Sequence, residues 1–413
     1  ETTEEGRSEE ADPADPADPQ VPPAVDVSST AITAEQPVGE GPVVVEREVD
    51  IVTEEAVAVD APEGAYASRS VLAEDVEPTA SLFSSDDFAL SLGGLTQVHF
   101  APLVGEDALL ANGDAASEAG FRIRRARVGF EGALGDDFGI YLGLNLIGVD
   151  SADGVVSDAK IAWSPAKELL LSVGSGKVAY SRAALESSRR LPLVERAYAV
   201  NAITPGRRLG VTAEGAVWED RIAYLVGVMN GTRGFALGNQ FGGVLYAGRL
   251  EFNVWGHPDS RDPWADGIAL GGGALYDNGP SAATLAWSGD LVLAYEGARL
   301  VGEVLCDTTD PDDTPAPAAT VADTVDRCGG YVELAYTLPV WKAHKIQPAV
   351  RGELFDDNTA LDDAGDLIAI GGGINGYLID PYVRLQLHYL ARIEREGVER
   401  KNDTLVMVVQ GTF

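Results

Sequence analysis

Residues 121–146 read FRIRRARVGFEGALGDDFGIYLGLNL. From Phe138 onward the stretch alternates. Phe138, Ile140, Leu142, Leu144 and Leu146 fall on one face, and Gly139, Tyr141, Gly143 and Asn145 on the other. A period of two marks a strand with one apolar side. Gly135-Asp136-Asp137 separates this run from the one before it, and short Gly/Asp clusters favour tight turns. The stretch is therefore read as two antiparallel strands joined by a short turn.

The same grammar extends in both directions. Strands are expected near 88–101, 120–133, 138–149, 157–165, 168–178, 207–217, 221–230 and 241–255. They continue near 265–276, 286–296, 299–306, 329–338, 344–354, 365–377, 382–393 and 403–413. That makes sixteen, and an even count returns both ends of a closed barrel to one side. Tight connections at 135–137, Pro165–Lys167 and Glu219–Asp220 alternate with long ones at 102–119, 179–206, 231–240, 307–328 and 355–364. A membrane barrel with short turns at one rim and long loops at the other has this rhythm. A second face pattern agrees: Tyr382, Arg384, Gln386 and His388 oppose Val383, Leu385, Leu387 and Tyr389.

Two further features point to lipid. Trp163, Trp218, Trp255, Trp264 and Trp341 lie at or beside the short-turn ends, with only Trp287 at a loop end. Indoles prefer the headgroup zone, where an apolar ring meets a wet N–H. The last strand, TLVMVVQGTF, closes on Phe413, with Leu405, Met407, Val409 and Phe413 on one side. No run of 18 or more apolar residues exists, so no membrane-spanning helix is expected.

The first 80 residues differ in kind. They hold 21 Asp/Glu against 3 Arg, with Ala-Asp-Pro repeated at 11–19. Proline fixes φ, the carboxylates repel, and little is left to bury, so a disordered, extended tail is expected. The segment 43–60 alternates weakly and allows a strand or short docking motif. The chain begins at Glu1 without an apolar leader, which says nothing against export. The expected organisation is all-β: a 16-stranded antiparallel transmembrane β-barrel over 81–413 behind an acidic, Pro-rich, periplasmic tail over 1–80. Its partners would be outer-membrane lipid and, for the tail, peptidoglycan or a periplasmic protein.

Charge and residue chemistry exclude several functions. A net charge of −35 argues against nucleic-acid binding, which rests on phosphate contacts. His99, His257, His344 and His388 are scattered and show no flanking nucleophile pattern, so no catalytic residues are assigned. Two cysteines cannot build a zinc site, and no cofactor or metal is expected. Cys306 and Cys328 flank the acidic stretch 307–327 and should form a disulfide in an oxidising compartment, worth about 3 kcal/mol by loop entropy. Asp307, Asp310, Asp312 and Asp313 lack the spacing of a calcium loop and read as solvated.

The stretch 121–134 with Phe138–Leu142 resembles the early strands of the phosphate-selective porin O/P family. So do GKVAYSR at 176–182, SRRLPLVERA at 188–197, PGRRLGV at 205–211 and LVGVMNG at 225–231. The resemblance implies a trimeric, sixteen-stranded outer-membrane porin whose third loop folds into the pore. It also implies an anion path along Arg122, Arg124, Arg125, Arg127, Lys177, Arg182, Arg189, Arg190, Arg196, Arg207 and Arg208. Small inorganic or organic anions, phosphate-like among them, would be the permeants. Arg182 to Val200 has helical character and is apolar for an external loop, so it should turn inward and constrict the pore at 179–206. Two readings of its arginines stay open. They could select anions, as a ring of guanidinium groups would. They could instead pair with Glu186, Glu195 and lumen acids such as Asp158, Glu214, Glu251, Glu333 and Glu353, and only hold the loop. A plugged barrel serving as an anchor or scaffold through its tail is the alternative function.

Overall fold

The computed structural model describes residues 76, 80–85, 87–110, 114–147, 155–231, 238–239, 242–279, 282–311, 323–341, 344–362, 365–380, 382–395 and 400–413. The expected disordered tail over 1–80 lies outside them except at Val76 and Ala80, as does the acidic tip at Asp312 and Asp313.

The strands are β1 (Ala80–Ser84), β2 (Phe88–Val104), β3 (Gly120–Leu134), β4 (Phe138–Asn145), β5 (Val156–Ala166) and β6 (Leu169–Gly176). After two short helices come β7 (Arg208–Val217), β8 (Ile222–Asn230), β9 (Val244–Gly256), β10 (Gly267–Asn278), β11 (Ala282–Tyr295) and β12 (Ala298–Pro311). The last six are β13 (Val325–Tyr336), β14 (Leu338–Trp341), β15 (His344–Asp356), β16 (Leu367–Ile379), β17 (Val383–Glu394) and β18 (Thr404–Thr412). Each pairs antiparallel with its neighbour, and β18 pairs with β2 to close the ring. β13 and β14 both pair with β15 and form one wall strand broken at Thr337. β1 is an addition outside the ring's count, so the closed barrel has sixteen strands. Closure leaves no full-length edge, which a wall in lipid requires.

The wall is turned apolar side out. Ile140, Ile161, Leu250, Val332, Leu354 and Ile374 are exposed, while Gln97, Arg125, Glu131, Asp158, Arg351 and His388 face inward and are buried. A soluble sheet would reverse this. Trp163, Trp218, Trp255, Trp264 and Trp341 are all exposed around the short-turn rim.

Two expectations are corrected in detail. The cysteines do not sit at strand ends. Cys306 and Cys328 are disulfide-bonded cross-strand partners, and the ladder runs on through Asp307–Arg327 to Thr309–Val325. The opposite charges of Asp307 and Arg327 pair directly across the strands and extend the sheet. The β10–β11 connection, read as a nine-residue gap, has shrunk to the turn after Asn278, because Asp277 and Asn278 still pair with Thr284 and Ala283.

Candidate functional site

The loop between β6 and β7 lies inside the barrel. Its helical character is confined to α1 (Arg182–Leu185) and α2 (Tyr198–Ile203); Ser187, Ser188 and Pro192 interrupt the middle. Ser181 caps α1, its side chain accepting from the Ala184 N–H at 3.2 Å. The loop's apolar residues, among them Ala179, Leu193 and Val200 (each 0% exposed), are what an external position could not bury. Wall glycines make room for them: a Cβ on Gly329 would lie 2.6 Å from the Ala199 side chain.

The β3 arginines reach this loop through a register fault. Strict alternation would send Arg122 and Arg124 to one face and Arg125 and Arg127 to the other. Gln97 pairs with Arg125 but Val98 pairs with Ile123, so Arg124 is an extra, bulged residue. The bulge flips the parity. Phe121 and Ile123 point to lipid, and all four arginines point inward.

There they meet the loop's own acid. Arg124 grips Glu195 bidentately at 2.6 and 2.9 Å, Arg125 donates to it at 3.3 Å, and Arg122 stands 4.0 Å away. Arg127 donates to the Ser188 hydroxyl at 3.1 Å. Burial pushes the Glu195 carboxyl up, but Arg124 and Arg125 outweigh it and hold the group well below the usual carboxylate range. Lys177 donates to the Leu185 carbonyl at 2.8 Å, and Arg196 to those of Ala183 and Glu186 at 2.7 Å each. Both satisfy carbonyls left open at the end of α1.

Several other wall acids are engaged in the same way. Arg182 pairs with Asp290 at 2.6 Å and with Glu251, and Arg249 joins both acids. Arg351 pairs with Glu353 at 2.7 Å and Glu333 at 3.3 Å, Arg207 with Asp158 at 3.0 Å, and Arg208 with Asp277 at 3.5 Å. Glu353 also accepts from the Tyr198 N–H at 2.6 Å, and Glu303 from the Arg182 N–H at 2.8 Å. Of the eleven candidates, nine are thus tied to the loop or to a wall acid.

Arg189 and Arg190 are placed differently. They line a cavity of about 390 Å³ on the short-turn side of the loop, joined there by Arg261, Arg299, Lys345 and Arg384. Asp259 and Asp380 are the carboxylates of that lining. A second cavity of about 260 Å³ adjoins it, sharing Arg190, Asp259, Ser260, Arg261 and Arg299. Burial and then Arg261 push the Arg190 guanidinium down to about 10, still charged at neutral pH but crowded by its own sign. Burial and Arg261 lower Arg189 too.

Reading the sequence missed Arg261, Arg299, Lys345 and Arg384. Arg384 was visible as a member of a polar face. Arg261 had a fainter signal: the connection from His257 to Asp266 is the longest on its rim, which allows it to fold inward.

A closed sixteen-stranded barrel, oily outside and polar inside with a loop drawn into its lumen, is the architecture of an outer-membrane porin channel. The model of the phosphate-selective porin O and P family matches residues 106–252, which contain the β3 arginines, the loop and β8. That match spans the residues 121–231 whose motifs carried the resemblance. Comparison with curated proteins by sequence finds no match. Among solved structures, the anion-selective porin of Comamonas acidovorans shares 14% identity at a TM-score of 0.53, over 79% of this chain and 100% of its own. The outer membrane protein OmpT of Vibrio cholerae, in a trimer form, gives 11% and 0.52 over 79% and 100%. The outer membrane channel DcaP of Acinetobacter baumannii gives 11% and 0.52 over 81% and 100%. At such identities the likeness is one of fold.

Proposed function

We propose that this porin passes small hydrophilic solutes by diffusion and favours anions, phosphate-like ones included. One observation carries the preference: six cations and two carboxylates line the cavity beside Arg189 and Arg190, which leaves an excess of positive charge even with Arg261 paired to Asp259, Lys345 to Asp380 and Arg299 to Glu186. The acidity of the chain does not oppose this, because Glu251, Asp290, Asp158 and Glu195 are each matched by an arginine, and Arg351 serves both Glu333 and Glu353. Fixed positive charge in a narrow, low-dielectric passage concentrates anions and repels cations. Arg122, Arg124, Arg125, Arg127, Lys177, Arg182, Arg196, Arg207 and Arg208 then position the constriction, and Arg189 and Arg190 meet the permeant.

A homotrimer in the outer membrane, with the acidic tail in the periplasm, completes the reading; the trimeric OmpT form is a precedent for the assembly. Purified protein in planar bilayers should give stepwise currents, and a KCl gradient should give the zero-current potential of an anion-preferring pore. Silence would remove the porin reading, and the opposite sign would remove the preference.

A plugged scaffold is the second reading. It is favoured by the loop's span, which touches β3 through Glu195, β12 through Arg182 and Ala183, β15 through Tyr198 and β17 through Leu191. Absence of conductance in well-folded barrels would decide for it.

A further inference from the structure

The end of β18 leaves a gap in the wall. Thr412 pairs with Leu95, and Phe413 exchanges backbone hydrogen bonds with Gly94. Below that point the corresponding edge of β2 has no β18 to pair with. β1 fills the position, pairing Ala80 with Leu92 and Ser84 with Ala89. β3 occupies the other edge of these same residues, so β1 continues the ladder directly beneath the C-terminus.

Four residues before β1, Val76 is inside the barrel. Val76 is 2% exposed. Its carbonyl accepts from the Tyr141 hydroxyl at 2.9 Å, and its Cβ would stand 3.0 Å from a Cβ on Gly129. Both partners face the lumen: their strand neighbours Val128, Phe130, Ile140 and Leu142 have the outward parity, and Tyr141 is 2% exposed. Gly129 and Tyr141 therefore form a notch, one supplying space and the other a donor. Any side chain at 129 would compete with Val76 for that space.

We propose that this notch is an internal docking site whose occupant is the chain's own N-terminal arm, entering the lumen at Val76 and held at the wall seam by β1. The arm is thereby drawn into the short-turn mouth rather than suspended from it. Its docked residues take up cross-section that solute would otherwise use. The 75 residues upstream carry 20 Asp/Glu against 3 Arg. The effect on current rests on the porin reading above; the docking itself does not.

The test begins with Val76→Cys in the full chain, folded in detergent. Cys306 and Cys328 are bonded to each other, so a maleimide reads position 76 alone. Labelling should be about tenfold or more slower than in the unfolded chain, as for a protected buried group. Adding Gly129→Leu should restore fast labelling. Equal labelling rates in folded and unfolded Val76→Cys protein would overturn the docking, whether or not the Leu variant folds. In bilayers, a variant lacking residues 1–79 should carry more current per channel than the full chain. Unchanged current beside a shielded position 76 would overturn the occupancy of the passage. No current from either form beside a shielded position 76 would support the docking and count against the porin reading instead.

Discussion

Two arginine-rich regions face the same lumen and do different work. On β3, four arginines converge on a loop that carries Glu195 and Ser188, and their charge is spent on short contacts. At the short-turn side, Arg189, Arg190, Arg261 and Arg299 border a cavity; Arg261 lies 3.7 Å from Asp259 and Arg299 3.4 Å from Glu186, yet cations still outnumber carboxylates in the lining. The residue type is the same, so its role is set by partners and by access. A guanidinium bound bidentately to a buried carboxylate is a fastener. One that borders a cavity, with like charges beside it, is where the proposed anion preference would arise.

The largest expected effect comes from unfastening the first region. Glu195→Ala leaves Arg124 and Arg125 without their acid, and breaking a buried pair by removing one partner costs about 3–5 kcal/mol. The loop should loosen from β3, seen as larger or flickering single-channel currents and as new trypsin cleavage between Arg182 and Arg196. Native-like currents and resistance to trypsin would break the distinction between the regions. As a control outside both, Cys306→Ser with Cys328→Ser should lower the barrel's heat resistance on gels by about 3 kcal/mol of loop entropy. Conductance should not change, and a changed conductance would tie the disulfide to the passage.

Smaller effects separate the regions by environment. Glu195 has its carboxyl depressed in the folded protein, so its contribution is fully present above the ordinary value of 4.5 and is lost only as pH falls through the lower folded value. Loop position, followed by trypsin resistance or by current amplitude, should therefore stay constant from neutral pH down to about 4.5. Release in the pH 5–7 range would show that Glu195 is not the clamp. Salt should act on the other region. Raising ionic strength from about 0.1 M to about 1 M shortens the screening length roughly threefold. Selectivity set by the cavity cations should weaken while loop docking holds.

Most of the fold was legible because its physics is local. Alternation in 138–145 and 382–389 told which side is oily, and the Gly135–Asp137 turn told where the chain reverses. The family resemblance of residues 121–231 agreed with the comparison over 106–252. The site was legible only in composition. Nothing near Arg124 announces a bulge, since a register fault depends on the partner strand's Gln97 and Val98. Pairing Glu195 with β3 spans about seventy residues of sequence, and alternation carries no information over that distance. Arg261 escaped notice because a turn's length shows its reach and not its direction. Val76 escaped because its anchor is a glycine and a tyrosine on two other strands.

The claim that the cavity cations, and not those on β3, set ion preference is tested most directly by the zero-current potential across a KCl gradient, compared between the native chain and Arg189→Ala/Arg190→Ala/Arg261→Ala. The native pore should prefer chloride. The triple variant should lose that preference or reverse it, with the loop still resistant to trypsin. An unchanged potential in the variant would contradict the account.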